Sequence, residues 1–118
     1  MQNRPSINTA IPKHRYQISD YSATVLGEID AGDGHDYRWI LALVLMGETQ
    51  PSLYVCCEQA PAERSADGRY DIRVINDSMS EVVDTADHWG DLEIFSETAL
   101  DLARQVLGLQ NDQTMKLM

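Results

Sequence analysis

The chain has few of the residues that mark secreted or membrane-spanning proteins. Its only cysteines, Cys56 and Cys57, are adjacent, and neighbouring side chains of a strand point to opposite faces, so we expect no disulfide between them. The N-terminal residues form no apolar segment of the signal-peptide kind. The longest apolar run, residues 39–46, is far too short to span a bilayer. These absences predict a cytoplasmic protein that does not enter a membrane.

Basic residues are also scarce. The 118-residue chain has 9 lysines and arginines against 19 acidic residues, a net charge of −10, and none of the basic residues lies between residues 74 and 103. A surface with only negative charges attracts basic partners and repels nucleic acid and anionic membranes. We therefore expect a protein partner, with a basic one favoured, and no nucleic-acid partner. The carboxylates of this stretch are Asp77, Glu81, Asp84, Asp87, Asp91, Glu93, Glu97 and Asp101.

Motifs for cofactors, nucleophiles and metals are absent as well. The chain has no GxGxxG, P-loop, GxSxG or CxxC motif, so no cofactor and no catalytic residue is assigned. The acidic turn at residues 30–36 lacks EF-hand spacing, because Gly32 and Gly34 stand where oxygen ligands are needed. No two histidines have metal-ligand spacing. A divalent ion in the 30–36 turn remains only a third, weaker hypothesis.

Periodicity predicts mainly β-structure ahead of one helix. β-Forming residues recur over 15–30, with a bulge or break near Ser19 and Asp20. Residues 37–46 are predicted to form a strand that is apolar on both faces, with Tyr37 and Trp39 on the same one. Further strands are predicted at 52–58, 69–76 and 81–85, the last with a helix over 79–89 as a close alternative.

The fold class predicted from this order is α+β: an antiparallel sheet of four to five strands, β-β-β-β-(β)-α, with one C-terminal amphipathic helix packed on one face. Asp91 suits the N-cap of that helix and Gly108 its C-cap. Residues 1–13 are predicted to be a flexible N-terminal arm, 14–108 a single α+β domain and 109–118 a frayed tail.

One helix cannot cover both apolar faces of such a sheet, so something else must cover the second face. A second copy of the chain, and therefore a homodimer, is the favoured candidate. The N-terminal arm is the alternative.

The helix also suggests a function. Glu93, Glu97 and Asp101 are spaced i, i+4, i+8 and form a single-sign acidic ridge away from the core. Trp89 either packs beneath the helix start or is exposed as a binding residue. The first hypothesis is a non-enzymatic interaction protein of the chaperone, adaptor or immunity kind that holds a partner through Asp91, Trp89 and the acidic ridge. An ordinary solvated face is the competing interpretation of the ridge.

A second hypothesis belongs to another class. His35 next to Asp36, and His88 next to Asp87, could each supply an imidazole oriented by a carboxylate. A pocket between sheet and helix with His35, Asp36 and His88 at its mouth would make the chain a small ligand-binding domain or an enzyme. A closed, apolar interface between sheet and helix would count against this hypothesis, whereas an open cavity lined by a histidine and a carboxylate would support it.

Overall fold

A computed structural model describes residues 3–118 as a seven-stranded sheet with one helix. Neighbouring strands are antiparallel, in the spatial order β6-β5-β4-β3-β2-β1-β7. The predicted α+β class is confirmed, but the strand count exceeds the predicted four to five. The elements are β1 (Ile7–Ile18), β2 (Tyr21–Ala31), β3 (Tyr37–Leu45), β4 (Leu53–Gln59), β5 (Tyr70–Ile75), β6 (Ser80–Ala86), α1 (Leu92–Leu107) and β7 (Thr114–Lys116), with short 3-10 turns at Ala62–Arg64 and Asp87–Gly90.

Two features explain the higher strand count. The segment 15–30 belongs to two strands, because a two-residue turn at Ser19 and Asp20 folds the chain back so that Ile18 pairs with Tyr21. Ser19 adopts the left-handed backbone conformation (φ 51°) that tight hairpin turns use. The second feature is β7, which pairs with the last three residues of β1.

Both ends of the chain contain strands where the sequence predicts irregular structure. β1 begins at Ile7, within the predicted arm 1–13, and β7 lies within the predicted tail 109–118. Most side chains in the first half of β1 are exposed or half-exposed, as are those of β7, so neither shows apolar alternation. Backbone hydrogen bonds to the neighbouring strand hold them, and no side-chain pattern reveals such bonds.

The predicted strand at 81–85 is confirmed as β6, and the alternative helix over 79–89 is not formed. Asn76 turns the chain back between β5 and β6, because its side-chain Oδ1 accepts hydrogen bonds from the backbone N–H groups of Ser78 (2.8 Å) and Met79 (2.9 Å). β6 then pairs with β5 as the edge of the sheet.

α1 is capped as predicted and covers one face of the sheet. Asp91 Oδ1 accepts hydrogen bonds from the N–H groups of Glu93 and Ile94, each at 3.0 Å, and Gly108 ends the helix with φ 71°. Phe95, fully buried, is the largest side chain that the helix contributes. Within residues 3–118, no helix combines the length and the apolar composition that a bilayer crossing requires. The sheet side of this core includes Val25, Leu41, Leu43, Leu53, Val55, Ile72 and Val74.

On the opposite face of the sheet, the chain itself covers an apolar cluster. β2 pairs with β3 only as far as Leu26, and Glu28 then adopts a left-handed backbone conformation (φ 47°) inside the strand. The ends of β1 and β2 beyond that point, residues 7–11 and 27–31, form a bent ribbon that stays paired but leaves β3. Apolar side chains of the bent ribbon pack on a small cluster that contains Ile40 and Cys56, both fully buried.

Beyond this cluster Val44 is half-buried and Met46 is 72% exposed, and homodimerisation stays a prediction. The N-terminal segment adds to the cover, since the Arg4 guanidinium lies 5.8 Å from the centre of the Tyr54 ring. Cys56 and Cys57 are free and buried on opposite faces of β4, as predicted.

Candidate functional site

Trp89 and Asp91, which the sequence assigns to partner binding, have structural roles. Trp89 is only 8% exposed. Its indole Nε1 donates to Asp84 Oδ2 at 3.1 Å, and its carbonyl oxygen accepts a hydrogen bond from the Cys57 thiol. Asp91 is occupied as the cap of α1. Trp89 therefore packs beneath the helix start and is not accessible as an anchor for a partner.

The acidic ridge lies on the outside of α1, but two of its three carboxylates are in contact with other side chains. Glu93 Oε1 is 2.9 Å from Nε2 of His14 on β1, and Asp101 pairs with Arg104. The Glu93 and Asp101 side chains are 69% and 61% exposed, and even a full ion pair at such exposure contributes only about 0–1 kcal/mol. The ridge is therefore part of the surface and adds little to stability.

His35, Asp36 and His88 do not come together. The interface between the sheet and α1 is filled by apolar side chains, among them the fully buried Phe95 and Leu41. His35 and Asp36 line two different cavities, neither of them lined by α1. His88 is exposed, with its ring centre 4.2 Å from that of Trp89. The predicted pocket between sheet and helix is thus not formed by these three residues.

An open cleft of about 380 Å³ lies instead on the face of the sheet that α1 does not cover. Strands β4, β5 and β6 form its floor, the turn before β3 forms one wall and the N-terminal segment another. We call it the polar cleft; its charged and aromatic lining consists of Arg4, Asp33, His35, Tyr37, Glu58 and Arg73.

Glu58 at the end of β4 is the centre of the polar cleft. It is only 5% exposed. Its Oε1 accepts a hydrogen bond from Arg73 Nε at 2.8 Å, and its Oε2 lies 3.2 Å from Nδ1 of His35. Arg73 also donates from Nη1 to the Ser80 hydroxyl at 3.3 Å. The carboxylate is thus held between a fixed guanidinium and an imidazole at the cleft surface.

A second buried carboxylate lies beside Glu58 on the neighbouring strand. Asp71 on β5 is the cross-strand partner of Glu58 and has no exposed surface. Arg64 donates to both of its oxygens (3.2 and 2.5 Å), and the Thr85 hydroxyl donates at 2.6 Å. Burial alone would raise the pKa of Asp71, but these hydrogen bonds and the charge of Arg64 outweigh it and lower the pKa. Glu58 and Asp71 form what we call the carboxylate pair.

Asp33 fixes the turn that forms one wall of the polar cleft. Its Oδ2 accepts hydrogen bonds from the Tyr37 hydroxyl (2.8 Å) and the Ser6 N–H (3.1 Å), and its Oδ1 accepts from the His35 N–H (3.0 Å). Burial alone would raise the pKa of Asp33, but these hydrogen bonds lower it. Burial, together with the hydrogen bond to Asp33, raises the pKa of Tyr37 far above its usual range. Tyr37 therefore stays a hydrogen-bond donor.

Tyr37 reaches the polar cleft because of a bulge. Tyr37 pairs with Glu58 while Trp39 pairs with Cys57, so Arg38 is an extra residue in β3. The prediction that Tyr37 and Trp39 share a face is therefore wrong: Trp39 belongs to the helix-covered core and Tyr37 to the opposite cluster.

A second cavity of about 510 Å³ lies between the bent ribbon and the start of β3, and it contains Asp36. Lys13 and Glu28 form an ion pair of 2.6 Å on its rim. The Arg38 guanidinium stacks 4.6 Å from the Trp39 ring centre. None of the charged residues on its lining is buried, so it lacks the buried charges of the polar cleft. No group of three or more histidine, cysteine or acidic side chains within residues 3–118 could hold a metal ion.

The residues that sequence reasoning missed are Glu58, Asp71 and Arg73. Glu58 follows Tyr54 and Cys56 at every second position, which places it on their face of β4. Asp71 and Arg73 alternate with the apolar residues of β5, which predicts a wet face rather than a buried one. The alternation along β4 and β5 shows that these three side chains share one face of the sheet. Their burial depends on the turns and the N-terminal segment around them, which the alternation does not show.

Comparisons of the chain with protein-family models, with curated proteins and with solved structures give no match. The functional proposals therefore rest on this chain's own residues.

Proposed function

We propose that the protein is a ligand-binding module, and that a small polar ligand occupies the polar cleft. The observation that carries this proposal is the buried Glu58 carboxylate on the floor of an open cleft, with the fully buried Asp71 beside it on the neighbouring strand. The proposal keeps the ligand-binding hypothesis drawn from the sequence and moves the site from the helix-covered face to the opposite one. His35 is the one residue of the predicted pocket that lines the polar cleft.

The carboxylate pair is difficult to explain as a stabilising device. Like charges directly opposite each other on neighbouring strands are unfavourable, and a buried ion pair is often no more stabilising than apolar side chains of the same volume. Glu58 and Asp71 nevertheless occupy opposed positions, and each requires its own arginine. Buried charges of this kind concentrate at functional sites, where they position groups for a ligand.

The test is a binding screen on the ¹⁵N-labelled full chain with a library of neutral, cationic and anionic small molecules. Binding in the polar cleft would shift the backbone resonances of His35 and Ser80 in a saturable manner. Ser80→Phe should abolish those shifts by filling the cleft, whereas Lys13→Gln, in the second cavity, should leave them unchanged. If no class of molecule shifts the cleft resonances of the folded protein, the proposal fails.

The acidic ridge supports a second candidate function, the docking of a protein partner. Besides its exposed carboxylates, α1 carries two exposed apolar side chains, Ile94 (40%) and Val106 (39%). Charge would steer a basic partner to this helix, and the apolar side chains would then be buried in the contact.

Charge reversal of the whole acidic ridge to lysine tests this candidate. A partner captured from lysate at low salt should be lost on the reversed variant and also at high salt. Reversal of three exposed acidic residues elsewhere, Asp20, Glu48 and Asp112, is the matched control and should retain the partner. Equal loss in both variants would show attraction to net charge and would rule out a docking site on α1.

A further inference from the structure

We infer that the group recognised in the polar cleft is an anion of the carboxylate or phosphate kind, held by the guanidinium groups of Arg4 and Arg73. This inference deepens the proposed function and rests on it. Around the cleft, the carboxylate acceptors already have protein partners, whereas several guanidinium donors do not.

The acceptors of the polar cleft are already engaged. Glu58 Oε1 accepts a hydrogen bond from Arg73, and Oε2 has His35 Nδ1 at 3.2 Å. Both Asp33 oxygens accept hydrogen bonds within the turn, from Ser6, His35 and Tyr37. A cationic ligand would have to compete with these contacts, because each carboxylate is already neutralised or fully hydrogen-bonded by the protein.

The donors, in contrast, are in excess. A guanidinium has five N–H donors. Within residues 3–118, Arg73 directs Nε and Nη1 to protein acceptors, and Arg4 directs Nη1 to Gln50 (2.6 Å) and Tyr54 (3.3 Å). The Nη2 amino group of each arginine has no protein acceptor among these residues. A ligand that satisfies both must bring acceptor oxygens.

The Ser80 hydroxyl strengthens the same conclusion. It accepts a hydrogen bond from Arg73, so its own proton is available to a third group. Two guanidinium groups and a hydroxyl on the lining of one cleft suit a planar carboxylate or a phosphate, whose oxygens can accept from a guanidinium in pairs.

Titration of the ¹⁵N-labelled full chain with single small ions tests the inference. The arms are sodium acetate, inorganic phosphate, methylguanidinium chloride and glycerol, at matched ionic strength. Saturable shifts at Ser80 and at the Arg73 side-chain N–H are expected with acetate, with phosphate or with both, and the two anion arms separate a carboxylate from a phosphate ligand. No saturable shift is expected with methylguanidinium or glycerol.

Arg4→Gln is the decisive variant, because among the described residues the hydrogen bonds of the Arg4 side chain go to Gln50 and Tyr54 alone and none goes to Glu58 or Arg73. Loss of one charge-assisted contact should weaken anion binding about tenfold or more. Arg15→Gln, at an exposed position of β1, is the matched control and should bind as the unaltered chain does.

Two results would overturn the inference while leaving the proposed function intact: binding of methylguanidinium or glycerol in the cleft in place of the anions, or anion binding that Arg4→Gln does not weaken. Absence of binding for every ion here and for every molecule of the wider library would overturn both.

Discussion

Replacing Glu58 and Arg73 together by methionine should leave the protein stable, whereas replacing Arg73 alone should not. The comparison of the two variants tells whether the Glu58–Arg73 ion pair is needed for folding or only for binding. Glu58 is 5% exposed and the Arg73 side chain 26% exposed, and they meet at 2.8 Å. Methionine approximates the volume of both side chains and carries no charge.

The expected loss in free energy of unfolding depends on whether a substitution leaves a buried charge without its partner. Arg73→Met leaves the Glu58 carboxylate buried without its guanidinium and still opposite Asp71. Removing one partner of a buried ion pair costs about 3–5 kcal/mol, and the lower end applies here because His35 still contacts the other Glu58 oxygen. The double substitution removes both charges, so its stability should lie within about 1 kcal/mol of the unaltered chain.

Urea unfolding followed by circular dichroism measures both variants. A loss of about 3 kcal/mol corresponds to a fall of about 1–3 M in the urea midpoint for Arg73→Met, with little change for the double variant. The double variant should also lose anion binding in the polar cleft. If it were as unstable as Arg73→Met, the ion pair would be a requirement of the fold, and the carboxylate pair would no longer argue for a binding site.

Three further predictions concern acid stability, thiol reactivity and one close backbone contact. The folded-state pKa of Asp71 lies below its ordinary value of 3.8. The ionised carboxylate therefore contributes to the free energy of unfolding above that pH, and this contribution is lost as the pH falls through the lowered pKa. In urea unfolding measured from about pH 2 to 6, Asp71→Asn should therefore make the loss of stability toward acid pH less steep. Burial raises the pKa of Cys57 to about 12 and that of Cys56 well above its ordinary value. Maleimide should therefore label neither thiol in the folded protein at neutral pH, and both thiols in guanidinium chloride. Rapid labelling of the native protein would contradict the buried positions. A Cβ at Gly68 would lie 2.4 Å from the Ala86 Cα, so Gly68→Ala should lower the free energy of unfolding by about 1–3 kcal/mol, and an unchanged thermal midpoint would refute that contact.

The sequence predicts the central part of the fold because burial there imposes a pattern. β3, β4, β5 and α1 each have a face that must be apolar, and the alternation or the helical stripe shows where that face lies. The first half of β1 and all of β7 pair through their backbones while most of their side chains stay exposed, and so they carry no such pattern.

The site was less predictable than the fold, because it depends on positions where strands depart from regular geometry. The bulge at Arg38 moves Tyr37 to the other face of the sheet, and the left-handed Glu28 releases the bent ribbon from β3. Arg4 and His35 are far from Glu58 in sequence and reach it only through these changes of direction. Each departure follows from packing between distant residues, which neither composition nor periodicity records.

The two faces of the sheet therefore differ in character: one holds the apolar core and the other holds the polar cleft. The helix-covered face is closed by apolar contact, and the buried charged side chains found within residues 3–118, Glu58 and Asp71, lie on the other face, so substitutions in the helix-covered core act on stability. The opposite face is covered by the bent ribbon and the N-terminal segment over its apolar part, and this cover stops short of the charged ends of β4 and β5. Glu58 and Arg73 lie at the margin of this incomplete cover, where a ligand can reach fixed charges without disturbing the core. For that reason our first proposal concerns this face, and the more conspicuous acidic helix is the second.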